Sequence, residues 1–544
     1  MNRISVGKYT AFVVGLIALF GGIGLATSGI YLTQHEGDAA HMVEILLRML
    51  QGQVPHLDFS TPIGILAFLP ILLLSKSGMG LGQAFLAAQV LIAVILAPMV
   101  VRVAVSRLHG LAGWAFGAVV MALVLAVIHG ESDVAISVSM YYNRWAWAAS
   151  FVLILLAVLP PAEGREAPRL DGLIAGLLLA ALALIKPTYF VSFLLPVVIG
   201  FLLRGARRSL VTGIVTGVAV ALVVVVAYGV DFFPAYISDL LSVTRSETRA
   251  APGMSLIEVV NAPRFLIASL TLILSIIVLR QAGEERAGVL LLLLAPGFIY
   301  VTYQNFGNDP IWLILLCLLL MAQRPIRGRR VVFNADARNA ISALSLVAFA
   351  LIAPSLQNIV TSPFRLYSTE KQDFVRQFPM RAEVPDIYVN PERSNMLTGQ
   401  EVLVDRFPEL APYVTESARF EPVSFLGERL PRCVLHGGEL ALHSYMADRL
   451  KEEPFNFAPD SAFFVADVAS ELWILGGFSP LEGGAPWYYS GTPGIEHADA
   501  IVVPTCPLDP SVQRHALAAI ETAGLTLRPP LRDPMMLVYP IVRD

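Results

Sequence analysis

The stretch Pro62–Leu74, PIGILAFLPILLL, decides how the rest of the chain is read. It is apolar throughout, yet too short to cross the roughly 30 Å hydrocarbon core of a bilayer as a helix, and it contains Pro70. Counting it as a span would invert the orientation of everything after it. Arg102, Arg107 and the cluster from Arg204 to Arg208 would then face outwards. The stretch is therefore expected to form an interfacial or re-entrant helix over about 62–75.

Outward from it, apolar runs recur from Thr10 to about Leu356 and stop there. The chain is 56% hydrophobic and only 15% charged, with a mean hydropathy of +0.67, which lies outside the range of soluble domains. About eleven transmembrane helices are expected, at approximately 10–30, 82–104, 111–128, 145–159, 171–186, 188–203, 209–229, 264–280, 287–303, 310–323 and 337–356. The first follows Arg3 and Lys8, as a signal peptide would, but its apolar run is too long for one and is expected to remain as an uncleaved helix.

Basic residues set the orientation. With the N-terminus in the cytoplasm, sixteen Lys and Arg fall in inside loops, among them Arg102, Arg107, Arg165, Arg204 and Arg329. Seven fall outside: Arg48, Lys76, Arg144, Lys186, Arg245, Arg249 and Arg264. This asymmetry has the sign of the positive-inside rule. The expected chain is thus a multi-pass protein of the cytoplasmic (inner) membrane, with residues 1–357 in the bilayer and an extracytoplasmic domain over 358–544. That domain is acidic and the basic residues sit in short loops, which argues against a nucleic-acid partner.

The outer loops are short but rich in acids and amides. They contain His35-Glu36-Gly37-Asp38, His56-Leu57-Asp58, His129-Gly130-Glu131-Ser132-Asp133, Tyr142-Asn143-Arg144 and Gln304-Asn305-Phe306-Gly307-Asn308-Asp309. Mid-helix positions are nearly all apolar, so a site at the outer mouth of a bundle is expected, whereas a transporter shows ionisable groups at the midplane. Residues 38–51 place His41, Glu44, Arg48 and Gln51 on one stripe with Met42, Val43, Leu46 and Met49 opposite, the pattern of a helix on the membrane surface. Asp38 stands where it would cap that helix.

The first outer loop, EGDAAHMVEILLRMLQGQVPHLDFSTPIG, resembles the polytopic glycosyltransferases of the GT-C class. The shared features are an acid, an interfacial helix, a G-x-x-P-(aromatic or His)-x-D-F turn and a Pro-containing juxtamembrane stretch, within about the first 150 residues. The resemblance implies an all-α polytopic bundle that takes a sugar from a polyprenyl-phosphate donor and passes it to an extracytoplasmic glycan or lipid acceptor. It implies that Asp38 is the base, with Glu131 and Asp133 as a second acidic pair shaping the site. In some members of this class an acid at the place of Glu131 and Asp133 binds a divalent cation, which is therefore a candidate cofactor; a structural zinc site is not expected.

Inverting transfer needs one base beside the anomeric carbon, and a phosphate leaving group needs cations. Arg144, Lys186, Arg245, Arg249 and Arg264 are the outer cations for that phosphate, while Glu36, His56, Asp58, Tyr142, Asn143, Gln304, Asn305, Asn308 and Asp309 have the chemistry to bind sugar or acceptor. Asp58 equally suits a turn held by its own carboxylate. The competing function is a transporter or flippase for a lipid-linked or small polar substrate.

No phosphate-binding Gly-x-x-x-x-Gly-Lys loop, His-Glu-x-x-His or paired Cys-x-x-Cys is present. From about Tyr367 the chain alternates short apolar runs, such as Ala462–Val468 and Ala500–Pro504, with a helical pattern over Gln513–Ala523. This predicts an α/β or α+β module serving acceptor recognition or covering the site. Cys433 and Cys506 are its only cysteines, and an exported domain makes them a candidate disulfide.

Overall fold

A computed structural model describes residues 4–130, 133–246, 256–305, 309–323, 328–402, 407–413 and 421–543. The chain is mostly helical. Among the described residues, seven helices are long and apolar enough to cross a membrane: Val6–Leu25, Leu81–Arg107, Pro168–Ile185, Arg207–Tyr228, Pro263–Gln281, Glu285–Gln304 and Ala337–Ser368. Shorter apolar helices occupy Gly110–Leu125, Pro187–Leu203 and Trp312–Ala322. Tyr141–Val158 is buried along its whole length and forms the centre of the bundle. At the periphery the Arg207–Tyr228 helix leaves Val211, Ile214, Val218, Leu222 and Val226 uncovered, an apolar face suited to lipid. The helix from Ala337 continues through Pro354 to Ser368, beyond the expected end at 356.

Pro62–Leu74 does not form one continuous helix. It breaks into a 3₁₀ turn at Ile65–Ala67 and an eight-residue helix, Leu69–Lys76. At 1.5 Å per residue that helix spans about 12 Å, well short of a bilayer. Its entry is fixed by protein: Gly64 N donates to Ile185 O at 3.1 Å, and Tyr141 Oη donates to Ala67 O at 2.8 Å.

The loops sort into two ends. At one, Arg102 and Arg107 on the Leu81–Arg107 helix meet Asp171 in the first turn of the Pro168–Ile185 helix, at 2.9 and 2.6 Å. Arg204 donates there to Leu159 O at 2.7 Å. At the other end the segments around residues 27–36 and 55–64 meet the C-terminal residues, as in Ser60 N donating to Gly484 O at 3.1 Å and Gln377 Nε2 donating to Glu36 O at 2.8 Å.

The C-terminal part is an α/β module. Its sheet runs in the order Phe463–Val465, Ala500–Pro504, Met536–Pro540, Leu531–Asp533, with the first pair parallel and the others antiparallel. The helices Glu439–Arg449, Leu472–Gly476 and Pro510–Thr522 accompany it. Cys433 and Cys506 are disulfide-bonded, with Cα atoms 4.8 Å apart.

This module is joined to the bundle by backbone as well as side chains. Ile30–Leu32 pairs in parallel with Ile387–Val389. Asp386 accepts from Gly82 N at 2.8 Å and Gln83 N at 2.7 Å, placing a carboxylate on the N-terminus of the Leu81–Arg107 helix, where helix dipole and unpaired N–H groups favour it. Only glycine fits at 82, because a Cβ would lie 2.4 Å from Asp386 O.

The helix expected over 38–51 spans Glu36–Leu50, and its polar stripe meets protein. Glu44 pairs with Arg48 at 3.2 Å and accepts from Trp473 Nε1 at 3.0 Å and Ser470 Oγ at 2.9 Å. Arg48 donates to Leu481 O at 2.9 Å. The apolar stripe packs on the bundle, so the helix lies between two protein layers. The buried ion pair is tolerable because the C-terminal module supplies its remaining hydrogen bonds.

Candidate functional site

The site is built from the two loops that precede buried helices. His35 adopts a left-handed conformation (φ 61°), which ends the preceding extended segment and starts the Glu36–Leu50 helix. Asp38 therefore sits inside the first turn and is not the N-cap. Its Oδ2 is 3.8 Å from His35 Nδ1, and its side chain is about one-third exposed. The loop 126–140 is tied to this turn by Thr33 N donating to Ile136 O at 3.0 Å and Ile136 N donating to Thr33 Oγ1 at 2.8 Å.

That tie brings His129 onto His35, with ring centroids 3.8 Å apart and planes 12° from parallel. His129 Nδ1 also meets Ser139 Oγ. Burial, with His35 and Arg144 adding to it, pushes the His129 pKa down to about 3, so the ring is a neutral imidazole at ordinary pH. His35, Asp38 and His129 each offer one ligand atom within 4.8 Å of the others, a nitrogen and oxygen set that suits a divalent cation.

His129 also lines a water-sized crevice of about 30 Å³ together with Asn143, Arg144, Asn305 and Asp309. Asn143 is 6% exposed, and among the described residues neither its Nδ2 nor its Oδ1 has a hydrogen-bond partner. A wholly unpaired buried amide calls for a reason, since most such groups are satisfied. Lys186 Nζ donates to Asn305 Oδ1 at 2.6 Å and lies 5.4 Å from the centroid of the Tyr142 ring. Asn305 Nδ2 donates to Tyr189 Oη at 3.3 Å. Arg264 pairs with Asp309 Oδ1 at 3.1 Å, and Ser355 donates to Asp309 Oδ2.

Other expected site residues lie elsewhere or do other work. Arg144 spends its Nη donors on the carbonyls of Ala126, Ile128, His129 and Ser139, which shapes the 126–140 loop. Asp133 is exposed, and its carbonyl accepts from Asn358 Nδ2. Asp58 holds a turn by accepting from Val54 N at 2.6 Å. His56 Nδ1 is 2.9 Å from Asp239 Oδ2, in the seam between the Pro62–Leu74 stretch and the Phe232–Arg245 helix. Glu36 faces the C-terminal module, 3.2 Å from Arg393 Nε. Gln304 ends the Glu285–Gln304 helix half-buried, outside the crevice lining. Arg245 closes the Phe232–Arg245 helix. Glu131, Arg249 and Asn308 lie outside the described residues.

Sequence reasoning passed over His35, His129, Tyr189 and Ser139. A histidine in each of two outer loops was visible, but their stacking depends on the Thr33–Ile136 tie, which no local pattern encodes. Comparison of the chain with family models, with curated proteins and with solved structures finds no match.

Proposed function

We propose that this chain is a GT-C-like, inverting membrane glycosyltransferase that moves a sugar from a polyprenyl-phosphate donor to an extracytoplasmic glycan or lipid acceptor. All eleven apolar helices then cross the cytoplasmic membrane, the end carrying Arg102, Arg107 and Arg204 faces the cytoplasm, and the C-terminal module is exported. The reading is carried by one observation: His129 belongs both to the group around Asp38 and to the crevice where Asn143 is buried unpaired.

In this reaction the acceptor hydroxyl attacks the anomeric carbon and its proton passes to the Asp38 carboxylate. The bond from that carbon to the phosphate oxygen breaks with its electron pair, and polyprenyl phosphate leaves. Lys186 and Arg264, held by Asn305 and Asp309, are placed to meet the departing charge. Asn143 and Asn305 supply amides for sugar hydroxyls. The crevice of about 30 Å³ is smaller than a sugar ring, so binding one requires its lining side chains to shift. An apolar groove of about 480 Å³ includes Pro187, Phe190, Val218 and Tyr236 in its lining, beginning one residue from Lys186, and it suits a polyprenyl chain. Several polar groups buried within the helices are spent on carbonyls, as with Gln89 donating to Ala126 O at 3.0 Å and Ser275 Oγ donating to Thr271 O at 2.7 Å, and no ionisable cluster stands at their middle among the described residues.

The test is transfer in proteoliposomes from a panel of polyprenyl-phosphate sugars to envelope lipids and glycans. Asp38→Asn is expected to lower transfer by about 10²–10⁴-fold with an unchanged thermal midpoint. Full turnover by the variant, or no transfer from any lipid-linked donor by the wild type, overturns the proposal.

A further inference from the structure

A second histidine–carboxylate cluster lies in the C-terminal module, against the helix that carries Asp38. Glu439 and His443 stand one turn apart on the Glu439–Arg449 helix, and Glu471 immediately precedes the Leu472–Gly476 helix. His443 is 1% exposed, with its Nδ1 2.8 Å from Glu471 Oε1. Its other nitrogen, Nε2, is buried and has no hydrogen-bond partner among the described residues. The imidazole feels three carboxylates, Glu471, Glu439 and Asp467. Asp467 is occupied, accepting from Val468 N at 2.7 Å and Leu508 N at 2.8 Å. Glu36 adds a fourth carboxylate nearby, balanced by Arg393. A buried imidazole thus stands against two carboxylate side chains, and none of these residues belongs to the proposed transfer chemistry.

The three donors are already grouped. Glu439, His443 and Glu471 each offer a ligand atom within 4.8 Å of the others. Bonds of about 2.0–2.2 Å to a tetrahedral ion need donors roughly 3.4 Å apart, so side-chain shifts of about 1 Å complete the set. We propose that Glu439, His443 and Glu471 bind a divalent transition-metal cation within the C-terminal module, at the face it turns to the start of the Glu36–Leu50 helix. The site abuts that helix: Glu439 Oε2 lies against Gly37, where a Cβ would come within 2.8 Å of it, and Gly37 precedes Asp38. One imidazole nitrogen with two carboxylates selects zinc or manganese over magnesium. The site stands whether or not the chain transfers sugars.

The test uses the full chain in detergent, stripped with chelator and then titrated with Zn²⁺, Mn²⁺ or Mg²⁺. Bound metal is measured by mass spectrometry after gel filtration, and the thermal midpoint is recorded. Glu439→Gln and His443→Gln are each expected to hold one zinc equivalent fewer than wild type, or to bind it at least about tenfold more weakly, and to lose part of the zinc-induced rise in midpoint. Equal zinc content and equal midpoint shifts in wild type and both variants overturn the site. X-ray absorption on zinc-loaded His35→Gln/His129→Gln protein covers the case of variants that fail to fold. A shell of mixed nitrogen and oxygen with one imidazole is expected, and a shell without imidazole overturns the proposal.

Discussion

At one end of the bundle Asp171 lies between Arg102 and Arg107, with each carboxylate oxygen taken by one guanidinium. At the other end Asn143 is as deeply buried as those residues, yet its amide is paired with nothing among the described residues, and His129 beside it is held neutral. Both ends bury polar groups: at the first, the charges pair with one another and leave over single guanidinium nitrogens, Arg107 Nε and Arg204 Nε, whereas at the second a whole amide has no partner among the described residues. Burial without partners costs stability, so where it persists in a crevice lined by His129, which also groups with Asp38, the cost is consistent with a ligand that completes the pairing. On the proposed function, the difference separates charge used to hold helices together from polar groups kept ready for a substrate.

Asp171→Ala attacks the closed end and carries the largest expected effect. It strands Arg107, 4% exposed, without its counter-charge, and should cost about 3–5 kcal/mol, read as a lower thermal midpoint in detergent. Transfer per folded molecule should hold. Lost turnover with an unchanged midpoint would show that the two ends are coupled.

Asn143→Leu attacks the open end and should behave in the opposite way. Removing an unpaired buried amide should leave the midpoint equal or higher, while transfer falls by roughly tenfold, the worth of a lost hydrogen bond of about 1–1.5 kcal/mol. A destabilised variant with normal transfer would make Asn143 a structural residue.

The smallest effect is expected for Asp58→Asn, which lies at the open end but is spent on a turn. Weakening the acceptor for Val54 N should cost about 1 kcal/mol in a denaturant titration. A changed KM with an unchanged denaturation midpoint would return Asp58 to the substrate site.

The helical bundle was legible because burying backbone in an apolar solvent leaves helices as the only open solution, and apolar run length marks them. Over Pro62–Leu74 a single helix was expected from 62 to 75, whereas the helix begins only at Leu69, with Pro70 in its first turn where no backbone N–H is needed. The Cys433–Cys506 bridge was legible only as a candidate, since 73 residues of separation carry no distance. Asp38 is not the helix cap that the polar pattern implied: His35 takes a left-handed backbone and the helix starts two residues earlier, at Glu36.

By itself the sequence determined that the chain is a helical multi-pass bundle with an α/β module after it, because hydropathy and periodicity are properties of neighbouring residues. Tertiary structure alone decided what faces the polar stripe of the Glu36–Leu50 helix. Glu44 and Arg48 look solvent-directed in sequence, yet Trp473, Ser470 and Leu481 receive them from more than four hundred residues away. It also decided that His35 stacks on His129 and that Glu439 reaches Gly37. Such encounters join loops whose relative positions are set by the packing of whole helices, and no periodicity within either loop records the other.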